Sequence, residues 1–137
     1  IDRTALSAAL AMRPERFREL EAVIHPLVRA REIAFVERER QGGTPLVLLD
    51  IPLLFEAGGE SRVDKVVVVT CDAETQRARV LARPGMTEEK FALILSRQMP
   101  DAEKRRRADF VIDTGRGLEA AREQVKEIIG TLTERDG

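Results

Sequence analysis

The stretch Asp64-Lys65-Val66-Val67-Val68-Val69-Thr70-Cys71-Asp72 decides the fold class. Its four valines follow one another without polar residues between them, as in a strand that is buried on both faces. Two charged residues precede the valines, and Thr70 ends the run. Asp72 is then placed to cap a helix that begins at Ala73. A buried strand that leads directly into a helix is typical of a parallel sheet covered by helices.

Two further apolar runs have the same character. Leu46-Val47-Leu48-Leu49-Asp50 lies before the valine stretch, and Phe110-Val111-Ile112-Asp113 lies after it. Neither run alternates with polar residues, and each ends in an acid. We therefore predict three buried strands that alternate with helices. This order predicts a three-layer α/β sandwich with a parallel sheet and right-handed crossovers.

The first part of the chain is predicted to be helical. Apolar residues recur at helical spacing through residues 1–41. A proline interrupts the pattern, so we predict a helix near 14–24, a bend at His25 and a second helix from Pro26 to about Arg40. The glycines at 42–43 then end this helix.

Helices also follow the valine stretch. We predict one from Ala73 to Arg83, ended by Pro84-Gly85, and another that Thr87 caps and Pro100 closes. A last helix at the C-terminal end has an apolar stripe formed by Leu118, Ala121, Val125, Ile128, Ile129 and Leu132.

Composition narrows the class of protein. The chain has 137 residues, of which 43% are hydrophobic and 34% charged, with a net charge of −1. This indicates one folded domain with no general attraction to nucleic acid or to a membrane surface. A single cysteine forms no internal disulfide and no cysteine-based metal site, which favours a reducing compartment such as the cytoplasm. Because Ile1 and not Met is first, we expect the natural beginning of the protein to lie upstream.

The carboxyl ends of the predicted strands are the first candidate site, because ligands bind there in open parallel sheets. This rule selects Asp50, residues 70–72 and residues 113–115. An acid such as Asp50 can hold a magnesium-bound water or orient a reacting hydroxyl. It can also cap the turn formed with Pro52. Both interpretations remain open from the residues alone.

The loop after Asp50 has large apolar side chains. They can form the wall of a small-molecule pocket, or they can form the first turn of a helix that faces the core. The candidate residues in this loop are Pro52, Leu53, Leu54, Phe55 and Glu56.

Two arginines share one face of the predicted helix at 73–83. Arg79 and Arg83 are placed on this face with Gln76. Guanidinium groups bind phosphate oxygens in pairs and keep their charge at any working pH. An ordinary solvated helix face is the alternative interpretation.

A third arginine, Arg97, favours phosphate binding. It lies on a helical segment between Pro84-Gly85 and Pro100 that can fold over the same site as a lid and expel water. The run Lys104-Arg105-Arg106-Arg107 follows. Such a run is usually a solvated face, and its spacing does not identify which cation faces the site.

Two observations limit the chemistry. His25 is the only histidine, and a structural role is the usual one for such a residue. No second histidine is present around which a Ser/His/Asp hydrolase site could be built. No glycine is followed by lysine, so these residues contain no Gly-x-x-x-x-Gly-Lys-Ser/Thr phosphate loop.

Several blocks of this sequence resemble the dephospho-coenzyme A kinase family. Leu20-Glu21-Ala22-Val23-Ile24-His25-Pro26 resembles a helix junction of that family, and Leu49-Asp50-Ile51-Pro52-Leu53-Leu54-Phe55-Glu56 resembles its most diagnostic block. Gln76-x-x-Arg79-x-x-x-Arg83, Arg97-Gln98 and Ala108-Asp109-Phe110-Val111-Ile112-Asp113-Thr114-Gly115 follow in the family's order, and Ile1-Asp2-Arg3 resembles the entry to its helical region. The match extends over nearly the whole chain.

The resemblance implies a P-loop kinase fold that is incomplete at its N-terminal side. Residues 1–43 would be a helical coenzyme-binding region and residues 44–137 the remainder of the nucleotide-kinase core, with a lid at about 84–108. It also implies transfer of the ATP γ-phosphoryl group, with Mg²⁺, to the ribose 3′-hydroxyl of dephospho-coenzyme A, the last step of coenzyme A biosynthesis. The implied partners are dephospho-coenzyme A and ATP.

The resemblance assigns roles to individual residues. The catalytic residues would be Arg79, Arg83 and Arg97, which neutralise the transferring phosphoryl group, together with Asp50. The acceptor would contact His25, Pro52, Leu53, Leu54, Phe55 and Glu56. The adenine would lie beside Thr114, Gly115 and Arg116, although Thr114 departs from the Asn-Gly-like residues that the family usually has there.

Two other functions remain as alternatives: a non-catalytic nucleotide-binding module and a different small-metabolite kinase. Because the phosphate loop with its lysine contributes much of the positioning and charge stabilisation of phosphoryl transfer, we expect these 137 residues alone to be inactive and to fold poorly. A purified 137-residue chain that phosphorylates dephospho-coenzyme A at an ordinary kinase rate would contradict this expectation.

Overall fold

The computed structural model describes residues 2–13 and 15–134. The chain forms two compact units, Ile1–Leu48 and Leu49–Gly137. Predictions that involve Ile1 or Pro14 lie outside the described residues. The elements in chain order are α1 (Arg3–Met12), α2 (Arg16–Gln41), a short 3₁₀ helix (Gly59–Arg62), β1 (Val67–Thr70), α3 (Ala73–Leu81), α4 (Glu88–Arg97), α5 (Asp101–Arg107), β2 (Phe110–Asp113) and α6 (Leu118–Thr133).

The first unit is helical, as predicted, but its second helix is not divided at the proline. The prediction of two separate helices that meet at His25 is wrong, because α2 continues through His25 and Pro26 from Arg16 to Gln41. A proline inside a helix removes one hydrogen bond and crowds the carbonyl four residues before it, but the flanking turns of a helix this long keep their own hydrogen bonds. The helix ends at Gly42, as predicted, and Gly43 follows with φ +74°. None of the helices within residues 2–13 and 15–134 has the length and apolarity needed to cross a membrane.

The sheet of the second unit has two parallel strands. Their register runs from Val67 opposite Phe110 to Thr70 opposite Asp113. The prediction of a third strand at residues 46–50 is wrong, because this segment forms no ladder with any described residue. An apolar run predicts a tendency to extend, but a strand also requires a neighbour for its backbone groups.

Each strand is buried mainly on one face. Residues that are opposite in register share a face of the sheet. On one face Val66 and Val68 are buried with Phe55, whereas on the other the buried residue is Ile112. Its partner Val69 remains 62% exposed. The prediction that the valine strand is buried on both faces is therefore wrong. The reason is that α5 packs against β1 while α6 packs against β2.

Local capping defines the helices around the sheet, as the sequence predicted. The Asp72 carboxylate accepts a hydrogen bond of 2.8 Å from Thr75 N, and the Thr87 hydroxyl accepts one of 3.2 Å from Lys90 N. The predicted end of α3 at Arg83 is wrong by two residues, because the helix ends at Leu81. Arg83 precedes Pro84, and a residue before proline disfavours helical angles.

Asp109 joins the start of β1 to the start of β2. Its Oδ2 atom accepts a hydrogen bond of 2.9 Å from Val66 N, and its Oδ1 atom accepts one of 3.0 Å from Lys65 Nζ. The backbone bond from Val66, followed by the bond from Lys65, lowers the pKa of Asp109 below its ordinary 3.8. The carboxylate therefore stabilises the parallel register only while it is ionised.

We expect Asp109→Asn to lower the free energy of unfolding by about 1 kcal/mol at pH 7, a value reduced by the partial exposure of the carboxylate. Because the pKa of Asp109 is lower in the folded than in the unfolded chain, this contribution is complete above about pH 4. It is lost as the pH falls through the lowered pKa. Urea unfolding followed by circular dichroism between pH 7 and pH 2 measures it. Glu119→Gln, which alters an exposed partner of Arg122, is the control. A difference between Asp109→Asn and wild type that persists unchanged to pH 2 would contradict the assignment.

Candidate functional site

The segments that follow β1 and β2 lie side by side, as the sequence predicted for the carboxyl ends of parallel strands. Thr114 N donates a hydrogen bond of 2.8 Å to Thr70 O, and the Thr114 hydroxyl donates one of 3.0 Å to the same oxygen. Gly115 N donates to Asp113 Oδ1 at 2.8 Å. A Cβ atom at Gly115 would lie only 3.0 Å from that carboxylate oxygen. The segment after β2 is therefore a tight turn against the end of β1.

Arg79 reaches this turn from α3. Its Nη1 atom donates a hydrogen bond of 3.2 Å to Thr114 Oγ1, and its Nη2 atom donates one of 2.9 Å to Thr114 O. The structure thus brings together two candidates that the sequence analysis had assigned to different parts of the site. The result is a positive charge held at the carboxyl ends of both strands.

The other two predicted arginines lie further along the chain. Arg83 follows α3 in the turn that contains Gly85, and Arg97 is the last residue of α4. Both side chains are exposed, and neither has an ion-pair partner within residues 2–13 and 15–134. Helices α3 and α4 pack against each other, and Arg77 forms an ion pair with Glu88 between them. The two arginines are therefore available to an anionic ligand.

Asp50 and Arg116 are also available to a ligand. Both side chains are exposed, and the described part of the chain offers neither one a hydrogen bond or an ion pair. Because residues 46–50 form no strand, Asp50 lies at the end of a segment without regular secondary structure and not at the end of a ladder. The described residues contain no group of three or more His, Cys, Asp or Glu side chains arranged to hold a metal ion.

The loop from Pro52 to Gly58 is a series of turns and contains no regular helix. Its backbone closes through hydrogen bonds of 3.0 Å from Ala57 N to Leu53 O and 2.8 Å from Gly59 N to Leu54 O. Leu53 has φ +55°, the only positive φ among the described residues other than glycine. A branched side chain in the left-handed region is strained, and strain of this kind concentrates at functional sites.

The apolar side chains of this loop divide between the core and the surface. Phe55 is only 8% exposed and packs with Val66 and Val68, and Leu54 packs against the same cluster. Phe55 is therefore part of the hydrophobic core and does not form the wall of an open pocket. Among the candidate residues 52–56, Pro52 and Leu53 are the exposed apolar ones.

The basic run after Pro100 is paired with carboxylates. The pairs are Lys104–Glu56, Arg105–Asp101, Arg106–Glu103 and Arg107–Glu103. The hydrogen bonds from Arg106, followed by those from Arg107, lower the pKa of Glu103 to about 2. Lys104 is the cation that turns inward: its side chain is 22% exposed, whereas that of Arg106 is 71% exposed. Periodicity alone did not distinguish the four.

One residue that sequence reasoning missed, Asp101, connects this run to the end of β1. The Thr70 hydroxyl donates a hydrogen bond of 2.7 Å to Asp101 Oδ1, and Arg105 Nε donates one of 2.8 Å to Asp101 Oδ2. Thr70 was selected by its position, but Asp101 carried no signal beyond following Pro100.

In the helical unit, His25 lies inside α2 and is exposed. It borders an apolar groove between α1 and α2 whose walls include Leu6, Leu10, Phe17, Leu20 and Ile24. An exposed histidine beside an apolar groove is compatible with ligand contact, and no described residue restrains its ring.

Parallel strands joined through helices, with an arginine directed at the strand ends, form an α/β fold that is consistent with the P-loop kinase class. A family model described as "CoaE: Dephospho-CoA kinase" matches residues 1–119. The chain therefore belongs to the dephospho-CoA kinase family, and its class of enzyme is that of the kinases.

Individual relatives agree with this assignment. The chain is 61% identical over 132 residues to the dephospho-CoA kinase of Agrobacterium fabrum, a match that covers 96% of this chain and 68% of the relative. It is 60% identical over 137 residues to that of Mesorhizobium japonicum, covering 100% of this chain and 70% of the relative.

Solved structures agree as well. A protein of Thermus thermophilus with a known crystal structure matches at 39% identity and a TM-score of 0.75, covering 96% of this chain and 68% of the other. The dephospho-CoA kinase of Campylobacter jejuni matches at 25% identity and a TM-score of 0.71, covering 100% of this chain and 68% of the other. These matches confirm the predicted fold class.

Proposed function

We propose that the full-length protein that contains this chain transfers the γ-phosphoryl group of ATP to the ribose 3′-hydroxyl of dephospho-coenzyme A, the last step of coenzyme A biosynthesis. The observation that carries the proposal is the paired contact of Arg79 with Thr114 at the carboxyl ends of β1 and β2. Phosphoryl transfer depends on positioning and on neutralising charge, and a guanidinium held at a strand end supplies both.

The adenine side of the site is assigned to Thr114, Gly115 and Arg116. Gly115 supports this assignment through the shape of the turn, because a Cβ there would lie 3.0 Å from Asp113 Oδ1 and the tight turn that presents Thr114 therefore favours glycine. Arg79 orders the turn from α3. Arg83 and Arg97, exposed and without ion-pair partners among the described residues, neutralise the transferring phosphoryl group when they close on it.

Acceptor-binding residues are proposed in each unit by itself. In the helical unit they are His25 with its neighbouring groove, and in the second unit they are Pro52, Leu53 and Glu56 of the loop after Asp50. Leu54 and Phe55 support this loop from the core. Asp50 orients the acceptor hydroxyl or a metal-bound water.

Mg²⁺ is proposed as the cofactor. The ion is usually held in kinases by one or two carboxylates together with the substrate phosphates, and the exposed Asp50 fits this limited donor set. When bound, Mg²⁺ neutralises charge on the phosphate oxygens.

A lid is proposed within residues 84–108, as the sequence suggested. Helix α5 is connected to β1 through Asp101, whereas α4 lies between the turn at Gly85 and the segment at Gln98. We therefore assign the moving part of the lid to α4 with Arg97.

The cytoplasm is proposed as the compartment of the reaction, because the single Cys71 suits a reducing compartment.

ADP release by the full-length protein tests the function. We expect ADP to form from ATP and Mg²⁺ when dephospho-coenzyme A is added, and not when coenzyme A is added, because its 3′-hydroxyl is already phosphorylated. ADP formation with a different small alcohol but not with dephospho-coenzyme A would favour another metabolite kinase. Nucleotide binding without ADP formation for any acceptor would favour a non-catalytic module.

A further inference from the structure

Glu56 is a shielded carboxylate at the end of the acceptor loop. Its side chain is 16% exposed, and neither carboxylate oxygen accepts a hydrogen bond from the described residues. A carboxylate removed from water is unfavourable unless an opposite charge lies close to it. The cation that meets this need is Lys104, whose Nζ atom lies 3.3 Å from Glu56 Oε1.

Lys104 lies on the inward edge of α5. Asp101, Lys104 and Arg107 follow one another at intervals of three residues, so they share one side of the helix. Asp101 accepts the hydrogen bond from Thr70 at the end of β1. The Arg107 guanidinium lies 5.9 Å from the centre of the Phe55 ring and 3.6 Å from a Glu60 oxygen. This edge of α5 therefore contacts the end of β1 and also residues that precede and follow Glu56 in the sequence.

The backbone of the acceptor loop is arranged so that an anchor at Glu56 is transmitted to Leu53. The hydrogen bonds from Ala57 N to Leu53 O and from Gly59 N to Leu54 O both span Glu56 and close the turn around it. Leu53 holds an unfavourable φ of +55°, which persists only if the surrounding contacts maintain it. Lys104 provides the charged contact among those that hold this turn.

We infer that Lys104 is a positioning residue for the acceptor: it fixes the Glu56 carboxylate and, through it, the exposed Pro52–Leu53 end of the loop. This inference rests on the proposed function of the loop. Lys104 acts on the acceptor through Glu56 and contacts no substrate itself. The nucleotide turn at Thr114 is held separately by Arg79, so the effect of Lys104 is specific for the acceptor.

Steady-state kinetics of the full-length protein test the inference. We expect Lys104→Met to raise the KM for dephospho-coenzyme A about tenfold, since misplacement of a positioning group by about 1 Å has effects of this size or larger. The KM for ATP should stay within about twofold of wild type. Lys104→Arg retains the cation and should recover most of the loss. Arg106→Met is the matched control, because it removes the neighbouring exposed cation and should change neither KM.

A double-mutant cycle separates positioning from simple loss of structure. Glu56→Gln keeps the shape of the side chain and should raise the same KM, and the double variant Lys104→Met/Glu56→Gln should be no worse than either single variant. Thermal unfolding identifies any variant that does not fold. If Lys104→Met does not fold, the KM of Glu56→Gln for dephospho-coenzyme A tests the inference instead.

The outcomes are distinct. A wild-type protein that forms no ADP with dephospho-coenzyme A overturns the proposed function and the inference with it. An active wild type whose Lys104→Met variant matches Arg106→Met, or whose KM rises equally for both substrates, overturns the inference alone.

Discussion

Replacing Arg79 by methionine is expected to lower kcat/KM for ATP about 100-fold, the size of effect that follows from removing one preorganised charge-stabilising donor. The change removes both hydrogen bonds to Thr114 and the positive charge at the strand ends. Kinetics at saturating dephospho-coenzyme A measure the effect. Arg79→Lys should be intermediate, because an ammonium keeps the charge but loses the paired geometry.

Arg77→Met is the control for this prediction. Arg77 lies on the same helix and forms an exposed ion pair with Glu88. Its removal should leave kcat/KM within about twofold of wild type, since exposed pairs contribute little. A folded Arg79→Met protein with wild-type kcat/KM would remove Arg79 from the site.

Replacing Phe55 by alanine is expected to lower the free energy of unfolding by about 3 kcal/mol. The side chain is 8% exposed and fills the centre of the cluster with Val66 and Val68, so its loss leaves a cavity beneath β1. It also removes the ring that faces Arg107. Urea unfolding followed by far-ultraviolet circular dichroism measures the change, which should make this variant the least stable of those proposed.

The control is Leu93→Ala on α4, where the side chain is 51% exposed. We expect it to cost less than about 1 kcal/mol, because most of the side chain is already in water. If the two variants lose similar stability, Phe55 is not part of a core, and the placement of the acceptor loop would need revision.

The features that were predictable from the sequence are those set by neighbouring residues. Asp72 and Thr87 were predicted as helix caps, and each bonds an N–H three residues ahead. The valine strand and its partner at 110–113 were also predictable, because their apolar runs are continuous. The segment at 46–50 has an equally apolar run but forms no strand, since pairing depends on a neighbour that a local pattern does not reveal.

The contacts that build the site join distant parts of the chain. Arg79 and Thr114 are 35 residues apart, and Thr70 and Asp101 are 31 residues apart. Local patterns can identify or miss each residue as a candidate for the site. They do not show that a side chain on one helix contacts a turn so far along the chain. Lys104 shows the same limit, because its three basic neighbours are chemically similar and only packing against Glu56 distinguishes it.

Helix α5 has only seven residues, and helices of that length are not stable alone in water. Its folded state therefore depends on its contacts with Thr70, Glu56 and Phe55. Loosening any of these contacts favours unwinding of the whole segment as one cooperative unit. The amide protons of α5 should consequently exchange with solvent together with those of the Leu53 turn, so that a ligand which tightens the turn also slows exchange in the helix behind it.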